Sequence, residues 1–72
     1  MSWHYRAKRQ VVDGEVEVFL VEVYPSLKKE GDTVIPHTEN PAVIIADSKE
    51  ELATWLRLAA DDVERFEVIE DE

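Results

Sequence analysis

Trp3-His4-Tyr5-Arg6-Ala7-Lys8-Arg9-Gln10-Val11-Val12-Asp13-Gly14-Glu15-Val16-Glu17-Val18-Phe19-Leu20-Val21-Glu22-Val23-Tyr24 reads as one β-hairpin folded at Asp13-Gly14. Asp-Gly between alternating apolar runs is a strong hairpin signal, because a type I′ turn needs φ > 0 at both central residues. A two-residue turn pairs Val12 with Glu15, Val11 with Val16, Arg9 with Val18, Ala7 with Leu20, Tyr5 with Glu22 and Trp3 with Tyr24. One face then holds Trp3, Tyr5, Ala7, Val11, Val16, Val18, Leu20 and Tyr24, which predicts a good half of a core. The other holds His4, Arg6, Lys8 and Gln10 beside Glu17, Phe19, Val21 and Val23. It is too apolar for a plain solvent face and too charged for a core. Arg6, Lys8, Phe19, Val21 and Val23 are therefore the candidate partner-binding residues.

Arg9 and Glu22 sit awkwardly in this register, since both fall on the core side. Arg9 can snorkel over the sheet edge, or a bulge near the turn can shift the register. Glu22 can pair diagonally with a base.

Beyond the hairpin, Pro25 ends the second strand by removing a ladder donor. Ser26 to Asp32 is polar and turn-like. Thr33-Val34-Ile35 restarts an extended segment before Pro36, and Thr38-Glu39-Asn40-Pro41 is a second turn signal. Ala42-Val43-Ile44-Ile45-Ala46 is rich in β-branched residues, which predicts an extended segment packed on the sheet or under the helix. Ser48-x-x-Glu51 is a capping box and opens the one clear helix. Leu52, Trp55, Leu56, Ala59, Val63 and Phe66 follow the spacing of a single buried stripe. The helix is predicted over Lys49 to about Glu64, and Phe66 to Ile69 reads either as its continuation or as a short terminal strand. Trp55 is expected against Trp3, Tyr5 or Tyr24.

The predicted fold is therefore α+β: an antiparallel three-stranded sheet, made of the N-terminal hairpin plus a third strand, packed by one C-terminal α-helix. Its 72 residues make one domain, with the acidic end 70–72 expected to fray. A chain this short buries only about 60% of its unfolded surface, so its core is small.

The net charge of −9 is unevenly placed. Residues 1–12 hold Arg6, Lys8 and Arg9 with no acid. The remaining five bases face all 17 acids, a balance of −12. Such a surface argues against nucleic acid as a partner, because phosphates need counter-charge. It suits solubility, or a basic protein partner. The alternative to the basic triplet as a nucleic-acid contact beside Phe19 is cross-strand pairing with Glu17 and neighbouring acids. No cysteine is present, which excludes disulfide staples and Cys-based zinc sites. No apolar run approaches the roughly 20 residues of a membrane span, and no signal-peptide h-region is seen. The expectation is a cytoplasmic protein that does not bind membranes.

The chemistry-bearing residues are sparse. His4 and His37, with Glu39, lack the spacing of a metal motif. Ser2, Ser26 and Ser48 have no G-x-S-x-G setting. Gly14 and Gly31 are the only glycines, so a phosphate-cradling loop is missing. The expectation is no catalytic residue, no metal and no cofactor.

Trp3-His4-Tyr5-Arg6, Glu22-Val23-Tyr24, Glu39-Asn40-Pro41 and Ser48-Lys49-Glu50-Glu51-Leu52 together resemble a small bacterial protein family of uncharacterised function. Its members carry a W-x-Y-R strand, an E-V-Y strand end, an E-N-P turn and an S-x-E-E-L helix start. The resemblance implies a hairpin, a third strand and a helix, and no activity. The chain departs from it at Ile44-Ile45, where a proline-containing loop is expected, and in its acidic end. Tyr24-Pro25-Ser26-Leu27 with Gly31-Asp32-Thr33 is also similar to the P-x-L…G-D-T pattern of HicB-like antitoxins. In those proteins the Thr opens the helix directly, whereas here the helix waits until Ser48.

Two functions follow as expectations. The first is a non-enzymatic protein–protein interaction module, using the outer face or edge of the sheet to bind a protein partner or a second copy as a homodimer. The alternative is an acidic inhibitor or antitoxin-like protein binding a basic partner through Asp61, Asp62, Glu64, Glu67 and Glu70 to Glu72.

Overall fold

The computed structural model describes residues 3–33 and 35–70. Strands β1 (His4–Val12) and β2 (Glu15–Val23) form the hairpin. Asp13 and Gly14 take φ of 51° and 81°, as a type I′ turn requires. The register runs without a bulge from Val12↔Glu15 to His4↔Val23. Arg9 therefore keeps its place opposite Val18 and, instead of snorkelling over an edge, pairs across the sheet with Glu70, its register partner on the third strand, Nη1 to Oε2 3.1 Å. Among the described residues Glu22 pairs with no base; its carboxylate accepts a hydrogen bond from the Tyr24 hydroxyl.

Helix α1 (Lys49–Arg65) begins at Ser48, whose Oγ accepts from the Glu51 amide at 3.1 Å. Glu50 and Glu51 in the first turn and Arg65 in the last complement the helix dipole. The helix lies against one face of β1. Trp55 stacks on Trp3 with ring centroids 6.4 Å apart, and Trp3 meets Tyr5 edge-on at 5.1 Å. Asp62 Oδ2 accepts from the Tyr5 amide at 3.1 Å, tying the helix to the strand's outer edge.

The sheet is mixed, which corrects the all-antiparallel expectation. Its order is β2-β1-β3, and β3 (Ile69–Glu70) runs parallel to β1 through Lys8↔Ile69 and Arg9↔Glu70. The cause is connectivity. After Phe66 the chain turns along the edge of β1, where Arg6 Nε donates to the Glu67 carbonyl at 2.8 Å. Of the acidic end, Glu70 is held in this strand; Asp71 and Glu72 lie outside the described residues.

The middle apolar run does not supply a strand. Ala42 donates its amide to the Leu20 carbonyl at 2.7 Å, after which the segment leaves the sheet. Val43 and Ile45 point outward, Ile45 being 84% exposed. Ile35 packs instead, onto a core of Val21, Val23 and Ile69, with Phe19 alongside. Val34, in the extended segment expected before Pro36, lies outside the described residues.

Candidate functional site

The expectation of an open contact face at Arg6, Lys8, Phe19, Val21 and Val23 is corrected by burial. The five share a face, as the alternation of the strands requires. Val21 and Val23, however, have no exposed surface, because Ile35 and Ile69 close over them. Lys8 is buried between its register partners Phe19 and Ile69. Arg6 is bonded to the Glu67 carbonyl. This face is a second core.

The two histidines flank that core. Val23 pairs with His4 on one side and forms a bridge with His37 on the other. Two strand spacings, about 9–10 Å, separate their backbones. His4 stacks on Phe66, centroids 3.8 Å apart, and its buried Nε2 has no hydrogen-bond partner among the described residues. Burial lowers the His4 pKa, with Asp62 working against it and Arg6 with it. His37 Nδ1 lies 2.8 Å from the Ile35 carbonyl. Among the described residues, no group of three or more His, Asp or Glu side chains could hold a metal ion. No helix among them is long and apolar enough to cross a membrane.

Along the edge of β2 the connector covers one half only. The Tyr24 amide donates to the Pro36 carbonyl, the Thr38 amide to the Glu22 carbonyl, and the Glu22 amide to Thr38 Oγ1, all between 2.8 and 3.0 Å. With Ala42 on Leu20, these bonds show that even-numbered residues of β2 turn their amides and carbonyls outward. The same alternation points the backbone groups of Val16 and Val18 outward. No strand of the described residues pairs with them. An open groove lined by Glu22 and Thr38 to Val43 follows the covered half.

The helix-side face is likewise covered only in part. Tyr5, Ala7 and Ala59 are buried, whereas Val11, Val16 and Val18 are 60%, 53% and 60% exposed. Leu56, assigned to the buried stripe of the helix, is 52% exposed. A hollow of about 210 Å³ lies between Ala7, Val18, Leu20 and Val63, next to the free edge. Sequence reasoning placed Val11, Val16 and Val18 in the core. The signal against it was Arg9, a charge in mid-face that marks where apolar cover ends.

No protein-family model, curated protein or solved structure matches this chain. The family resemblance of its short motifs rests on those residues alone.

Proposed function

We propose that this chain is a non-enzymatic protein–protein interaction module that binds another polypeptide through the free half of the β2 edge and the valine face beside it. One observation carries the reading: Val16 and Val18 combine outward-facing backbone groups with side chains more than half exposed. Unpaired edges recruit strands, and apolar surface beside an edge adds affinity to the backbone hydrogen bonds. A cytoplasmic setting suits a chain without cysteine.

The alternative, an acidic inhibitor acting through its helix and tail, has less to draw on. Asp62 and Glu70 are already engaged by the Tyr5 amide and Arg9. Glu15 and Glu17, flanking the free edge, favour a basic partner at the sheet instead.

The test is site-specific photocrosslinking in cells, with a photoreactive residue at position 18 and, as control, at exposed Arg57 on the helix. A discrete adduct at position 18, absent at 57 and lost in Val16→Glu, supports the reading. Equal labelling at both positions, or none at 18, overturns it. Light scattering of the purified protein separates self-association from capture of another chain.

A further inference from the structure

We infer that the occupant of the β2 edge is an extended peptide alternating apolar and basic side chains, added to the sheet beside Val16, Glu17 and Val18. This rests on the interaction-module reading and specifies its partner. In a strand added at this edge, successive side chains fall on opposite faces of the sheet. On the helix side they meet Val16, Val18 and the hollow formed with Ala7, Leu20 and Val63. On the other side they meet Glu15 and Glu17, which no ion pair reaches among the described residues. Among the described residues Glu17 accepts only a 3.4 Å bond from Gln10. Of the basic side chains of the neighbouring strand, Arg6 is engaged by the Glu67 carbonyl and Arg9 by Glu70, while Lys8 is buried beside Phe19 and Ile69. Apolar on one side and anionic on the other, the edge fits a strand with the complementary alternation.

Register argues against a second copy as the occupant. Antiparallel pairing of β2 with itself about Glu17 sets Glu17 opposite its own copy, with Cα atoms about 4.5 Å apart in a non-hydrogen-bonded pair. Like charges directly opposite are destabilising. Centring on Val16 places Glu15 opposite Glu17 twice. Centring on Val18 needs the outer edge of Leu20, which Ala42 occupies. The net charge of −9 adds repulsion to each arrangement. A basic strand turns the same carboxylates into attraction.

The test uses the whole protein and a fluorescein-labelled, end-capped peptide, Lys-Val-Lys-Val-Lys-Leu, followed by fluorescence anisotropy. Three controls accompany it: the block isomer Lys-Lys-Lys-Val-Val-Leu, and two forms N-methylated on alternate amides in opposite phase. The alternating peptide is expected to bind at least tenfold more tightly than the block isomer. One N-methyl phase should abolish binding and the other leave it within threefold, since only alternate amides face β2. Glu17→Lys should weaken binding at least tenfold. Equal binding of the two isomers, or an equal effect of both methylation phases, overturns the inference by leaving charge attraction alone. Failure of all the peptides to bind, with a position-18 crosslink intact, removes the basic-strand partner and keeps the module reading. Absence of the crosslink removes both.

Discussion

Arg9 and Val18 are register partners on the helix-side face, and neither is covered by the helix: Arg9 pairs sideways with Glu70 on β3 while Val18 stays 60% exposed. The pair marks a boundary. On the Trp3 side of it, Tyr5 and Ala7 are buried, Tyr5 against the Trp3 ring that Trp55 covers. On the hairpin-tip side, Val11 and Val16 stand in solvent. The exposed valines and the free edge of β2 therefore coincide, and the proposed interaction surface rests on this coincidence.

The boundary predicts opposite consequences for two valines three residues apart on β2, which therefore lie on opposite faces of the sheet. Val21→Ala removes methyl groups from the closed core and should cost about 2 kcal/mol, transfer and cavity together. Val18→Thr should change stability by less than about 0.5 kcal/mol, as at other surface sites. Urea unfolding of both variants, compared at constant m-value, checks this. A loss at Val18 as large as that at Val21 would show that the valine face is not free.

What was legible in the sequence is what short-range chemistry decides. Asp13-Gly14 sets the turn, the turn sets the hairpin pairs from Val12–Glu15 to His4–Val23, and Ser48 with Glu51 sets the helix start to the residue. What was hidden depends on how distant segments fold over the sheet. Nothing local in Ile69-Glu70 outweighs Ala42–Ala46 as a third strand; the two residues pair because the chain leaving Phe66 runs along β1. Similarly, alternation grouped Phe19, Val21 and Val23 on one face, but only the paths that bring Ile35 and Ile69 over it determine that this face is closed.

His4 should make stability pH-dependent. Its folded-state pKa is lowered from the ordinary 6.5, first by burial, so the unfolded chain takes up the proton more readily. The contribution is fully present above the unfolded value of about 6.5 and is lost as pH falls from there through the lowered folded-state value. His4→Phe keeps a ring against Phe66 without a titrating nitrogen. The difference in unfolding free energy between wild type and His4→Phe should shift against wild type from pH 7.5 to 5.5. A difference that stays flat would refute the assignment.

Asp62 has two separable roles, as acceptor for the Tyr5 amide and as the charge that raises the His4 pKa. Asp62→Asn retains an acceptor oxygen and removes the charge. It should preserve hydrogen-exchange protection at Tyr5 while lowering the His4 pKa further. Asp62→Ala removes both and leaves the amide without its partner, at a cost of about 1 kcal/mol. Amide exchange and imidazole NMR titration on the two variants read the roles independently.

Ile69 tests whether a two-residue strand closes the second core. Its side chain is buried with Val21 and Val23, while neighbouring Val68 is 45% exposed. Ile69→Ala should cost about 2–4 kcal/mol, in the range of large-to-small core substitutions. Val68→Ala should cost less than about 0.5 kcal/mol. The mechanism makes a local prediction too: opening over Val21 should lower exchange protection of the β2 amides paired with β1 before the Trp3–Trp55 stack is disturbed, because that stack lies on the opposite face. Simultaneous loss of both signals in Ile69→Ala would mean that the two faces unfold as one unit, and that β3 holds the whole sheet rather than one side of it.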